Sequence, residues 1–245
     1  MTELTAVSIS ELLELAKSAE SQFKELPWFR GHADSRWQLV PSAHRRHPIL
    51  ESQFAQQFRL RAPSVAKCPD HGDYVSWLPL MRHYGLPTRL LDWTESLLVA
   101  TYFATALPDQ DGVVWILSPG SLNRLTIGGF IPFMHDSRVK PLIAEAFGAK
   151  AGGEFSPYLA VFAPRTDPRM AAQLGNYTIH RARAPLNEQQ EVAHALTRIS
   201  IPGTAKLRLR NELGLLGIRA SSLFPDLATL ATEISELVVI EDTDV

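Results

Sequence analysis

Two blocks of polar residues follow predicted strands, and their residue types suit the binding of a ligand. The first block, Trp28–His32 (WFRGH), has the pattern of a short strand that ends in an arginine, a glycine and a histidine. The second block, His83–Ala104 (HYGLPTRLLDWTESLLVATYFA), sets a polar turn before a short apolar strand and a helix that is apolar almost all round. Such helices pack in protein cores, and ligands are often held on loops that a rigid core fixes in place. The two blocks therefore predict a ligand site where strand meets helix.

The charged residues of these blocks allow more than one interpretation. Arg89 and Asp92 lie three residues apart beside the core strand, which predicts a buried ion pair that holds the turn; direct contact with a ligand is the alternative. A basic cluster at residues 44–47 (HRRH) could contact phosphate, or it could be a solvated loop. His32, His83 and Asp92 match no metal-binding spacing, so we expect no metal site.

The composition predicts a folded protein and argues against several kinds of protein, such as secreted and membrane-spanning ones. The chain has 245 residues, of which 45% are hydrophobic, and a formal net charge of -2, so a strongly basic nucleic-acid footprint over the whole chain is excluded. Its one cysteine, Cys68, excludes an intramolecular disulfide and suits a reducing compartment. The N-terminus lacks a signal-peptide pattern, and the apolar run 97–107 is about half of the ~20 residues that a membrane span needs. We therefore expect a cytoplasmic protein without a membrane partner, and nothing indicates an oligomeric state. A local basic face for nucleic acid is an alternative, drawn from Arg181, Arg183, Lys206, Arg208 and Arg210.

The order of the predicted elements indicates one α+β domain. A capping-box spacing at residues 8–11 (SISE) predicts the start of a helix. Hydrophobic periodicity, together with turn and capping residues, predicts the remaining elements. Strands are expected at 28–32, 37–41, 113–117, 158–163 and 176–180. Further helices are expected at 51–60, 74–84, from 97 to about 104, 142–147, 188–197, 207–215 and from about 222 to 237.

The ordered motifs resemble the FRG domain family. They are WFRGH, then W-x-L-x-P-S-x-x-R from Trp37 to Arg45, then LMRHYGLPTRLLDWTESLLVATYFA, PRMAAQLGNYTIH and LGIRASSLFPDL. The resemblance covers a core of about residues 25–230 and implies a single FRG-like domain over 1–245. Arg82 departs from the glutamine expected there, and we expect its side chain to be peripheral.

A second resemblance, to the ADP-ribosyltransferases, implies a chemistry. It rests on a strand that ends in Arg30, a strand that ends in the hydroxyl residue Thr94, and the helix Val99–Ala104 behind them. Proteins of this kind form an NAD cleft between two small packed sheets. The resemblance therefore implies an α+β domain with two small packed sheets, flanking helices and NAD as a substrate.

The second resemblance also implies which residues contact the cofactor. Cleavage of the nicotinamide bond creates an oxocarbenium-like ribose, while the pyrophosphate carries fixed negative charge. Arg30 would hold phosphate or ribose with its planar fork, and Gly31 would let NAD approach the backbone closely. His32 or Thr94 would fix a ribose hydroxyl, and Tyr84 would stack on a ring. The expected cofactor-binding set is completed by Thr88, Arg89 and Asp92.

The catalytic carboxylate is implied only by a short spacing. The sequence Gln189-Gln190-Glu191 has the spacing of the acid motif of ADP-ribosyltransferases, which implies Glu191 as the acid. The predicted helix 188–197 gives the alternative of a solvated helix face. Gln173 precedes a late strand and would orient the ribose 2′-hydroxyl. The expected catalytic set is Arg30, Thr94, Gln173 and Glu191.

Together the resemblances imply an NAD-binding protein that transfers ADP-ribose to a macromolecule, either protein or nucleic acid, or that hydrolyses NAD. By analogy such a protein would be a bacterial toxin or defence effector. The alternative is a non-catalytic module that senses a nucleotide or recruits a protein.

Overall fold

One mixed sheet carries the fold. The computed structural model describes residues 4–45, 50–150, 156–165 and 167–242. Within these residues the strands are β1 (Leu4–Thr5), β2 (Trp28–His32), β3 (Leu90–Thr94), β4 (Gly112–Leu117), β5 (Tyr158–Val161), β6 (Gly175–His180) and β7 (Leu196–Ile201). The helices are α1 (Ile9–Phe23), α2 (Leu50–Arg61), α3 (Tyr74–His83), α4 (Leu97–Ala104), α5 (Pro119–Ile127), α6 (Lys140–Glu145), α7 (Pro168–Ala172), α8 (Lys206–Leu215), α9 (Ala220–Leu223) and α10 (Leu227–Asp242).

The described strands form a seven-stranded sheet in the order β1-β7-β4-β2-β3-β6-β5. β1 pairs with β7 in parallel, and the other neighbours are antiparallel. The α+β class is therefore as expected, but the prediction of two packed sheets is wrong, because the described strands form one sheet. The reason is β2, which hydrogen-bonds to β4 on one side and to β3 on the other and so joins the strands into a single layer.

Helices pack on the sheet through distinct apolar clusters. On one face, Phe29, Val114 and Ile199 pack against α1, α4 and α8. On the opposite face, Trp28 and Trp115 belong to a second cluster. A third cluster joins β3, β5 and β6 to α2, α3 and α6. Since successive residues of a strand point to opposite faces, β2, β3, β4 and β5 each contribute to the core on both sides.

Capping residues begin several helices where the sequence predicts them. The Ser8 hydroxyl accepts a hydrogen bond from the backbone N–H of Glu11 at 3.2 Å and begins α1. Asp73 caps α3 through the N–H of Ser76. The last helix begins later than expected: α9 ends at Leu223, and the Asp226 carboxylate accepts from the N–H of Thr229 at 2.8 Å in the turn that begins α10.

Two predicted elements are wrong. Residues 37–40 form a loop rather than a strand, and the Leu39 N–H donates to the side chain of Asn187 at 2.8 Å instead of to a neighbouring strand. The predicted helix 188–197 is replaced by two short 3-10 helices, Leu186–Glu188 and Gln190–Ala195, followed by β7. The last two residues of the predicted helix, Leu196 and Thr197, belong to β7 and pair with β4. This strand pairing overrides the helical pattern of the sequence.

No helix in the described part of the chain is both long and apolar enough to cross a bilayer.

Candidate functional site

A pocket of about 530 Å³ lies beside the junction of β2 and β3. These two strands share a single residue pair, Phe29 with Thr94, although each pairs with its other neighbour over five residues. Beyond that pair, the residues of β2 and β3 are not paired with one another. The Arg30 side chain therefore reaches across this gap to Asp92, and both residues line the pocket.

Arg30 bridges the gap between the two strands. Its Nη1 donates to the backbone carbonyl of Asp92 at 2.6 Å and lies 3.6 Å from the Asp92 carboxylate. Its Nε donates to Nε2 of His32 at 2.9 Å. Burial lowers the pKa of the Arg30 guanidinium to about 10, with the Asp92 carboxylate opposing that shift. Arg30 therefore keeps its positive charge at neutral pH.

His32 is fixed as a neutral ring. A guanidinium has only N–H donors, so Nε2 of His32 must accept from Arg30, and Nδ1 then carries the proton and donates to the Trp37 carbonyl at 3.1 Å. Burial, together with the charge of Arg30, lowers the pKa of His32 to about 3. Both ring nitrogens of His32 are therefore hydrogen-bonded within the protein, to Arg30 and to the Trp37 carbonyl.

Asp92 forms an ion pair with Arg82, the residue that we expected to be peripheral. Nε of Arg82 lies 3.0 Å from Oδ2 of Asp92 and 3.2 Å from Oδ1. Burial acts to raise the pKa of Asp92, but the charge and hydrogen bonds of Arg82, with Arg30, hold it below its ordinary value. The expectation for Arg82 is therefore wrong: it lines the pocket and keeps Asp92 ionised.

The predicted pair of Arg89 with Asp92 is also wrong. Residues three apart on a strand point to opposite faces, and Arg89 points away from the pocket. Its Nε and Nη2 each lie 2.9 Å from Oε2 of Glu51, and its Nη1 lies 3.1 Å from Glu145. The backbone N–H of Arg89 also donates to Glu51 at 2.7 Å. Arg89 thus ties β3 to α2 and α6.

The remaining predicted residues divide between the pocket and other places. Thr94 and Gln173 both line the pocket, where Thr94 Oγ1 donates to the Gln173 carbonyl at 2.6 Å and accepts from the N–H of Ser96. Gln173 Nε2 is itself bound to a carbonyl of α9 at 3.0 Å. Gly31 and His32 also line the pocket, whereas Tyr84, Thr88, Arg89 and Glu191 do not. Tyr84 is exposed and contacts Phe58 and His83, and Thr88 is fully buried.

Three further residues whose side chains suit ligand binding line the pocket. Arg45 is exposed at the pocket, and among the described residues its one hydrogen bond is from Nε to the Val40 carbonyl at 3.2 Å. Partial burial of its guanidinium in the pocket, and then the charge of Arg82, lowers the pKa of Arg45. Arg169 lies over the ring of Phe224 at 4.6 Å. Trp37 is 45% exposed and lies edge-on to His32, with ring centroids 6.0 Å apart.

The sequence signals for these three residues were partial. Arg45 belongs to the basic cluster at 44–47, whose residues 46 and 47 lie outside the described part of the chain. Arg169 lies within the PRMAAQLGNYTIH motif. No pattern in the sequence shows that Trp37 leaves its ring half exposed at a pocket.

Some of the residues considered for a nucleic-acid face are engaged within the protein. Lys206 is buried and donates to the carbonyls of Ala33 and Leu107 at 2.7 and 2.6 Å. Arg208 pairs with Glu212 on its own helix, and Arg210 lies over the ring of Tyr102. In the part of the chain that the structure covers, no group of three or more His, Cys, Asp or Glu is placed to hold a metal ion.

Residues 25–112 match the model of the FRG domain family. The matched segment contains Arg30, Arg45, Arg82, Asp92 and Thr94, so most of the charged wall of the pocket lies inside it. No curated protein and no solved structure matches the chain. None of these comparisons relates the chain to the ADP-ribosyltransferases.

Proposed function

We propose that the pocket beside β2 and β3 binds a nucleotide through its phosphate groups, and that NAD is the first nucleotide to test. One observation carries this proposal: four arginines, at positions 30, 45, 82 and 169, line the pocket, and Asp92 is the one carboxylate among its described lining residues. Four guanidinium charges against one carboxylate leave the walls positive. A pocket of about 530 Å³ is within the range of sites that enclose small molecules.

The arginines differ in how free they are to bind a ligand. Arg30 and Arg82 are engaged with Asp92, while Arg45 has no carboxylate partner among the described residues. A guanidinium forms paired, charge-assisted hydrogen bonds to phosphate oxygens. Arg45 is therefore the proposed primary phosphate contact, and Arg30 supplies a fixed positive field from the pocket wall.

Trp37 supports a nucleotide rather than a simple phosphate as the ligand. The His32 ring lies edge-on to it, and its carbonyl is held by Nδ1 of His32. An indole with a half-exposed face that lines a pocket can stack against a base or nicotinamide ring. The ring and the phosphates of one ligand would then be bound by different residues.

Replacing Arg45 by alanine should weaken nucleotide binding without unfolding the protein. We expect the Kd for NAD and for ADP to rise by roughly tenfold or more, since hydrogen bonds to charged groups contribute about 1.5–3 kcal/mol. Isothermal titration calorimetry measures this change. Arg61→Ala is the matched control, because Arg61 is exposed and does not line the pocket. Wild-type protein that binds neither NAD, ADP nor ADP-ribose at millimolar concentrations would refute the proposal.

Replacing Trp37 by alanine should separate ring binding from phosphate binding. We expect a loss of roughly threefold to tenfold in affinity for NAD, in line with about 0.5–1.5 kcal/mol for an aromatic pair. Affinity for inorganic pyrophosphate should stay the same, because it has no ring. Competition titrations of both ligands against the variant provide the comparison. An equal loss for the two ligands would show that Trp37 shapes the phosphate site instead.

Turnover of NAD is a second candidate, and Asp92 is the observation that favours it. Its side chain is 39% exposed in the pocket and is held ionised by Arg82. A fixed carboxylate can stabilise the cationic ribose that forms when the nicotinamide bond breaks. Incubation with NAD labelled in its ADP-ribose part and with cell lysate distinguishes the activities: transfer releases nicotinamide and labels macromolecules, whereas hydrolysis releases nicotinamide and free labelled ADP-ribose. Binding without either product would favour a nucleotide-sensing module, whereas either activity would be compatible with a toxin or defence effector.

A further inference from the structure

The C-terminal helix α10 presents an apolar stripe to solvent. It spans 16 residues, and none of its side chains for which burial is described is buried. Leu227, Leu230, Ile234 and Val238 are between 42% and 83% exposed. Their spacings of three, four and four residues place them along one side of a helix. This is the pattern of a surface that packs against another helix.

α10 has little attachment to the rest of the domain. Its described tie is to α9, where the Glu233 carboxylate accepts from the backbone N–H of Ser221 at 2.9 Å. An isolated helix of this length is marginally stable in water, and most helices gain their stability by packing an apolar face. Exposed apolar stripes of this kind mark interaction surfaces. The stripe therefore indicates a partner that lies outside the domain.

The charge of the segment decides what kind of partner fits. Residues 226–245 contain six acidic residues and no lysine, arginine or histidine. A second copy of this helix would bring carboxylates against carboxylates, and like charges in register oppose association. A helix whose apolar stripe is flanked by lysine or arginine would satisfy both the apolar side and the acidic flanks. We propose that α10 docks a basic amphipathic helix of another protein, independently of whether the pocket binds a nucleotide.

Two synthetic helical peptides test this proposal on the full chain. Both carry leucine at every first and fourth position of a heptad; one has lysine at the flanking positions and the other has glutamate. We expect fluorescence anisotropy to show at least roughly tenfold tighter binding of the lysine peptide, with an affinity that falls as salt rises. Ile234→Gln should weaken the lysine peptide by roughly tenfold, as removal of a central apolar contact does at helix grooves. Leu207→Gln is the matched control, because Leu207 is a similarly exposed residue on α8.

The outcomes that overturn the proposal are distinct. Equal binding of the two peptides would show a surface without charge selectivity. Absence of binding, or equal effects of Ile234→Gln and Leu207→Gln, would show that α10 is not the docking surface. Self-association of the chain in sedimentation equilibrium that Ile234→Gln abolishes would assign the stripe to a second copy.

Discussion

Replacing Arg89 by alanine should lower the free energy of unfolding by about 3–5 kcal/mol, the range for removing one partner of a buried ion pair. Glu51 is 6% exposed and Glu145 is 15% exposed, and Arg89 contacts both within 3.1 Å. Without the guanidinium, the buried Glu51 carboxylate loses its ion-pair partner, while Glu145 keeps its ion pair with Arg181 at 3.0 Å. The loss arises mainly from the Glu51 charge left without compensation, and urea unfolding of the purified variant measures it.

The control for this prediction is Arg138→Ala. Arg138 pairs with Asp136 at 2.7 Å near the surface, so its loss should change stability far less. NAD affinity of the folded Arg89→Ala protein should equal that of wild type, because Arg89 does not line the pocket. Lost NAD affinity with unchanged stability would instead support the interpretation of Arg89 as a cofactor contact.

The misassigned partner of Arg89 shows where sequence reasoning ends. The sequence places Arg89 and Asp92 close together beside a strand, and the strand prediction is right. Because they are separated by an odd number of positions, their side chains point to opposite faces of the sheet. Each therefore pairs with a residue of another segment. Glu51 lies 38 positions before Arg89, and Arg82 reaches Asp92 from α3. No local pattern encodes these pairings.

The same limit applies to the sheet. The strands at 28–32 and 113–117 follow from local hydrophobic patterns, and both are present in the structure. Whether strands form one sheet or two depends on which edges pair, and β2 has neighbours on both edges. At Leu196 the non-local pairing with β4 even replaces a predicted helical turn by a strand. Tertiary context overrides propensity in such segments.

The pocket was partly predictable for a physical reason. Arg30 and Thr94 were both expected at strand ends near a ligand, and the pairing of Phe29 with Thr94 brings them to one pocket. Arg45 and Trp37 come from a loop after β2, and Arg169 comes from α7. Loop positions depend on contacts that are distant in sequence, as when the Trp37 carbonyl is held by His32. The strand residues Arg30 and Thr94 were therefore predicted directly, whereas Arg45 was indicated only as part of a basic cluster and Trp37 and Arg169 were not indicated as ligand contacts.

Replacing Gly31 by alanine should destabilise the protein by about 3 kcal/mol or more, at the upper end of overpacking effects. A Cβ at Gly31 would lie 1.8 Å from the carbonyl oxygen of Ala100 and 2.6 Å from the backbone nitrogen of Ala104. Both atoms belong to the backbone of α4, so no side-chain rotation can relieve the overlap, and β2 must separate from α4. Thermal and urea unfolding measure the loss, with Gly72→Ala as the control, because a Cβ at Gly72 meets no atom within 4 Å. Should Gly31→Ala keep wild-type stability and lose only NAD binding, the glycine would serve close approach of a ligand, as the sequence suggested, rather than the packing of strand against helix.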